Sequence, residues 1–287
     1  MQRGISTHVF LERRLSPGLL DRLAGAGAKS IEVFAARHHF DYADASAVRE
    51  MANWFRSHDV KATMHMPLYP DTAWSKHTAP TLNLISSSKA VRIEAMDEVK
   101  RAMEAAEQVP FGSCVLHLGM KDDKWDGRSL DDSMTAIEHL KAFAGPLGLR
   151  LVLENLVNEV ATPANLVEIV RVGHFANVGF ALDVGHANLD PTIPETSYAP
   201  AKTGVEQAFE VFGEKLTELH LHDNGGVAGS MRDEHLWPGD GAVDWKLVAA
   251  KVKELKVQPV GVLEIAHELG EGDVEEKAKR AWDVVGA

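Results

Sequence analysis

The 287-residue chain has a single cysteine, Cys114, so no internal disulfide can staple it, and a reducing cytoplasm is the expected setting. Cys114 lies in the apolar run SCVLHLG, which reads as the place of a buried structural thiol rather than a nucleophile. No apolar run is long enough to cross a bilayer, and the start, MQRGISTHVFLERR, turns charged too early for a secretory signal. Positive charge is scarce: 30 Lys and Arg stand against 42 Asp and Glu, a net of −12 with the acids scattered rather than gathered in a tail. Nucleic-acid affinity rests largely on Lys and Arg contacts to phosphate, so that balance disfavours a broad nucleic-acid surface and favours a small-molecule substrate. There is no low-complexity tract, short repeat or Pro/Gly/Ser-rich linker, and no glycine-rich dinucleotide fingerprint follows any strand-like run.

What is present is regular. Hydrophobic content of 45% is enough for a full core. Short runs rich in Val, Ile and Leu alternate with longer segments of helical period. The strand-like runs are RGISTHV, SIEVF, VKATMHM, SCVLHLG, LRLVLEN, NVGFALDVG, LTELHLH and VGVLEIA. Helices are expected to begin near Ser16, Asp44, Ser86, Asp131, Thr162, Gly204, Asp244 and Asp273, and Asp44, Ser86, Asp131 and Thr162 are types that cap free amides. From Lys89 to Val109 the pattern predicts one long amphipathic helix, with Val91, Ala95, Val99 and Met103 on one face. Regular alternation implies a parallel sheet, and eight strand–helix units predict a (β/α)8 TIM barrel, a single domain over residues 1–287. The rival is an open doubly wound sheet.

In such barrels the chemistry sits at the C-terminal ends of the strands. Here those ends carry His65, His117, Glu154, Asp183 with His186, His220 and Glu264, and the loop after the seventh strand adds Asp233 and His235. An ionised carboxylate in an apolar run such as LVLENL or GVLEIA is costly to bury unless paired or metal-bound. Mixed imidazole and carboxylate ligands without thiolate fit zinc, manganese, cobalt or iron(II). Asp183 and His186, three apart, can face one ion or bracket two. In extended backbone Asp233 and His235 project to one side and could close on an ion with His186. His222 is expected to face away from the side taken by His220. The glycines of WPGDG would let backbone approach the rim closely.

Through HMPLY, LHLG, LEN, LDVGH, HLHDN, DEHLWPGDG and LEI the chain resembles, almost end to end, the xylose isomerase-like TIM barrel superfamily. That superfamily holds sugar and sugar phosphate isomerases and epimerases as well as the endonuclease IV family. In epimerase-type members one ion is held by a Glu, an Asp, a His and a second Glu, and the matching positions are Glu154, Asp183, His220 and Glu264. The two glutamates there also flank the substrate as proton donor and acceptor. The endonuclease IV pattern adds ligands that match His65, His117, His186, Asp233 and His235, a full three-metal set. The chain departs from that pattern in its acidity and in an apparent insertion, DTAWSKHTAP, after Tyr69. It also reads HDNGG where the nuclease commonly carries a lysine.

The resemblance implies a divalent-metal-dependent isomerase or epimerase of a sugar, sugar phosphate or keto-sugar. Glu154 and Glu264 would be its acid/base pair, working through a metal-stabilised enediolate. The alternatives are an endonuclease IV-like phosphodiester hydrolase, or a metal-dependent lyase or hydrolase of sugar derivatives. A carbohydrate partner is expected, with neither nucleic acid nor membrane. Residues at strand ends or in rim loops would set specificity: His8, Glu32 and Phe34, and the tryptophans Trp74, Trp125 and Trp237, whose rings suit sugar C–H faces.

Overall fold

A computed structural model describes residues 1–75, 79–190, 202–229, 232–269 and 273–286. Of the insertion after Tyr69, residues 76–78 lie outside the described residues. The strands are β1 (Gln2–Ser6), β2 (Ser30–Phe34), β3 (Lys61–His65), β4 (Phe111–Leu116), β5 (Arg150–Glu154), β6 (Gly179–Asp183), β7 (Leu216–Leu221) and β8 (Val260–Leu263). They run parallel in sequence order and close into a barrel through the β8–β1 pair. The helices are α1 (Pro17–Gly25), α2 (Ala45–Ser57), α3 (Lys89–Met103), α4 (Gly127–Ala144) and α5 (Pro163–Val172), then α6 (Val184–Asn188), α7 (Gly204–Phe212), α8 (Trp245–Glu254) and α9 (Val274–Val285). Every strand-like run of the sequence is a strand, and the (β/α)8 expectation holds. No helix among the described residues is long and apolar enough to cross a membrane.

Alternation along each strand splits the core in two. One large cluster, including Ile31, Val33, Cys114 and Leu116, fills the space between sheet and helices. Val115, Val152 and Ala181, offset by one residue, make a separate cluster on the inner face. Cys114 is fully buried, and burial raises its pKa, as a structural thiol requires.

Two helix starts differ from expectation. Ser86 is not the cap of α3; its hydroxyl accepts from the Ser88 amide, forming a turn that delays the helix to Lys89. Asp131 lies inside α4, which starts earlier on a capping box between Asp126 and Ser129. The long helix expected to reach Val109 ends as α-helix at Met103 and tightens into a 3-10 turn over Glu104–Glu107. The register is what matters for the site. Asp183 and His220 are direct partners across β6 and β7, so the strand ends deliver their polar residues at one level.

Candidate metal centre

His220 is fully buried at the floor of the barrel mouth. Its Nδ1 lies 3.2 Å from Glu154 and 3.1 Å from Glu264, and its Nε2 lies 3.3 Å from Glu32. Neither ring nitrogen makes a geometrically good hydrogen bond among the described residues, an arrangement costly for a buried imidazole unless something else meets its lone pair. Glu154, Asp183, His220 and Glu264 each offer a ligand atom within 4.8 Å of the others. Donor types and crowding fit a divalent cation.

Two further groups adjoin this one. His65, His117 and Glu154 converge, with His117 Nε2 2.9 Å from Glu154 and 3.0 Å from His65 Nε2. His186, His222, Asp233 and His235 form the other, with Asp233 Oδ2 3.0 Å from His186 Nε2 and 3.2 Å from His235 Nε2. The histidines share a device. His65, His186 and His235 each donate Nδ1–H to a backbone carbonyl, of Met66, Asn155 and Glu264, at 2.8, 2.9 and 2.9 Å. That bond fixes the tautomer and turns Nε2 toward the cluster, the way metal-binding imidazoles are set.

Local structure explains the convergence. Asp183 ends β6 and caps α6, its Oδ1 accepting from the His186 amide. The Asn155 side chain makes paired hydrogen bonds with the Asp183 backbone and so locks the end of β5 to that of β6. After β7, the buried Asp223 carboxylate accepts from the amides of Asn224, Gly239 and Val243 and from the Trp245 indole. Those bonds fold the loop back over the mouth. Gly241 is needed there, since a Cβ would run into Asp223.

Three expectations are corrected here. His222 does not face away: the strand period of two gives residues 220 and 222 the same side, and its Nε2 sits 2.9 Å from Asp183 Oδ2. Gly185 makes room for it, because a Cβ at that position would overlap the His222 ring. Asp233 and His235 do meet His186, but not through extended backbone, for His235 has φ 45°. That left-handed geometry is uncommon for a non-glycine residue, and the Nδ1 bond to Glu264 together with the Ala266 amide bond to the His235 carbonyl holds it. Glu32 is not on the rim; it is fully buried beneath His220, joined there by Glu218 at 3.9 Å from Nε2. Glu218 was open to detection from the sequence, since it precedes His220 by two in β7 and therefore shares its face.

Above the floor lies a cavity of about 650 Å³ lined by most of these ligand candidates together with His8, Phe34, Lys121 and Arg232. His8 approaches His235 and Glu264, and its Nδ1 is 3.0 Å from the Ile265 carbonyl. The tryptophans do not line this cavity. Trp74 packs on His38 and His267 and against the cluster containing Phe34, while Trp125 packs on the outer core. Trp237 is buried, its indole donating to the Leu269 carbonyl.

The electrostatics fit a site for a divalent cation. Burial opposes charge on His65, but Glu154 and Glu32 outweigh it and raise its pKa to about 9. Burial likewise opposes charge on His235, and Asp233 and Glu264 raise it to about 10. Glu154 and Asp233 are held well below the usual carboxylate range, against burial, by His220 and His117 and by His235 and His186. At pH 7 each raised imidazole carries an extra proton, which a metal bound to that ring would displace. Zinc added to metal-free protein at pH 7 should therefore release protons, which a pH-stat titration measures directly. The sign for stability follows from the same groups. Both folded pKa values exceed the ordinary 6.5, so their stabilisation is complete below that pH and is lost as pH rises through about 9 and 10. The urea midpoint of metal-free protein should fall over that window.

A second expected result concerns Glu32. Its carboxylate lies 3.3 Å from His220 Nε2, where its charge favours a proton on that nitrogen rather than on Nδ1, and a neutral amide lacks that charge. Glu32→Gln should weaken zinc binding about 10- to 100-fold in competition with a chromophoric chelator.

A family model for the xylose isomerase-like TIM barrel matches residues 20–284. The chain belongs to that family. An uncharacterized protein of Methanocaldococcus jannaschii is 25% identical over 262 residues, covering 89% of this chain and 80% of the relative. A probable endonuclease 4 of Haloquadratum walsbyi is 24% identical over 212 residues, 69% of this chain and 72% of the relative. Among solved structures, a D-tagatose 3-epimerase-like protein superposes with TM-score 0.73 at 22% identity, covering 100% of this chain and 98% of that one. The IOLI protein with a bound zinc atom superposes with TM-score 0.76 at 19% identity, again covering 100% and 98%. At such identities the structural likeness concerns the fold.

Proposed function

We propose that this chain is a divalent-metal-dependent isomerase or epimerase of a sugar-like hydroxycarbonyl compound. The observation that carries this reading is the pair of carboxylates, Glu154 and Glu264, set at 3.2 and 3.1 Å about His220 Nδ1 on the floor of an open cavity. An ion held by Glu154, Asp183, His220 and Glu264 would supply Lewis-acid polarisation of the substrate carbonyl. One glutamate would remove the proton from the adjacent carbon, and the other, first protonated from solvent, would return a proton to complete the exchange. Both are ready as bases, since the facing histidines hold each well below the usual carboxylate range despite burial. His8 has its pKa lowered to about 3 by burial, so it is neutral and can hydrogen-bond a substrate oxygen without adding charge. The superposed epimerase-like and zinc-binding structures support the same reading.

A specific observation favours a second reading, phosphodiester hydrolysis. Glu154 belongs to two adjoining ligand groups, a third group lies beside them, and Lys121 and Arg232 line the cavity where phosphate oxygens could rest. Against it stands the net charge of −12, a poor match to a duplex.

Elemental analysis of protein purified without chelator, followed by two assays, separates the readings. One ion per chain, with solvent deuterium entering a keto-sugar next to its carbonyl, is the expected result. Three ions with salt-sensitive, metal-dependent cleavage of an abasic duplex would overturn it in favour of hydrolysis.

A further inference from the structure

The polar floor of the cavity does not continue up its walls. Leu68 from the β3–α3 loop, Met120 from the β4–α4 loop, Leu156 and Val157 from the β5–α5 loop and Leu189 after α6 all line it, above Phe34. Phe34 is stacked on His65 at 4.7 Å, so the apolar surface begins at the ligand cluster itself. Val157 is 45% exposed at the mouth. A lone exposed valine means little, but one continuous with five other apolar side chains inside a cavity marks a binding surface. Asn158 also lines the cavity, yet its amide is engaged: it donates to the Leu118 carbonyl and accepts from the Val160 and Ala161 amides. Among the described residues, the wall chemistry beyond the ligand candidates is then largely apolar, with Lys121 and Arg232 as its charged members. The volume, about 650 Å³, lies within the range of pockets that enclose drug-sized ligands.

A free monosaccharide would lay hydroxyls against leucine, methionine and valine, giving up water without gaining partners. An apolar group laid there releases water from both surfaces. We infer that the substrate joins its metal-chelating oxygen pair to an apolar body of about the size of a ring, which rests on Met120, Leu156 and Val157. This rests on the metal-centred reading above and names the class of compound it takes: a substituted sugar or hydroxycarbonyl rather than a bare one.

The test uses zinc-loaded protein and two hydroxamates that present the same chelating head, acetohydroxamate and benzohydroxamate, with affinities read by calorimetry. Benzohydroxamate should bind at least tenfold more tightly. In Val157→Asp and in Met120→Gln, each checked for folding by circular dichroism, the ratio of the two affinities should fall to within about twofold of unity. Binding of both compounds with equal affinity to the wild type overturns the apolar subsite and leaves the metal site standing. A wild-type preference that both variants retain overturns it as well. Binding of neither compound removes the metal-centred reading, and this inference with it.

Discussion

Replacing Glu154 with Gln should lower turnover by about 10²- to 10⁴-fold, the range lost when a general acid or base is removed. The amide keeps the volume of the carboxylate but cannot take a proton, and it halves the oxygens available to a cation. Glu154 is 1% exposed and faces His117 at 2.9 Å, His220 at 3.2 Å and His65 at 3.5 Å, so it is held firmly in place. Glu264→Gln should act similarly, since Glu264 meets the same His220 nitrogen. Far-ultraviolet circular dichroism should be unchanged in both variants, because neither side chain carries a hydrogen bond of the barrel ladder. Full turnover in both variants would refute the assignment of the acid/base pair.

Metal loading should raise thermal stability markedly, and this can be measured without knowing the substrate. The ligand clusters gather Glu154, Asp183, Asp233 and Glu264 among histidines within one mouth. A cation that binds only the folded chain stabilises it by about 2.7 kcal/mol at a free concentration of 100 Kd. For a 287-residue domain this is a rise in Tm of roughly 4–5 °C. Differential scanning calorimetry of chelator-treated protein, with and without zinc, checks it. The Asp233→Ala, His235→Ala double variant should lose part of that rise if the third group holds an ion. A zinc response identical to wild type would reduce the loop to a structural turn.

The barrel was legible in the sequence because alternating strand and helix periods leave few architectures, and because closure needs no special residue. Glu154, Asp183, His220 and Glu264 were legible for a related reason: a carboxylate or imidazole interrupting an apolar run at a strand end has one rim to face. What escaped has separate causes. His222 was misplaced because a spacing of two from His220 means the same side of a strand, not the opposite one. His235 reaches the cluster through a left-handed turn that no local propensity announces. Glu32 is two residues short of the end of β2, so it points into the barrel below the ligands instead of standing on the rim. The tryptophans carried no positional signal, since an indole suits a sugar face and a hydrophobic core equally, and packing decided for the core around Trp237. The apolar cavity wall was invisible because its members come from separate loops whose meeting only the closed barrel arranges.

The shared ligands have a thermodynamic consequence. Glu154 belongs to both the His65–His117 group and the His220 group, and Glu264 joins the latter to His8 and His235. Groups with a common ligand cannot fill as independent sites, because each charge that settles in one alters the field and the side-chain freedom of the next. Occupancy would be linked, and the linkage is reciprocal: whatever the first position does to the affinity of the second, the second does equally to the first. If ions beyond the first were offered, the shared carboxylates would make the mouth one polyvalent acceptor rather than a set of separate sites.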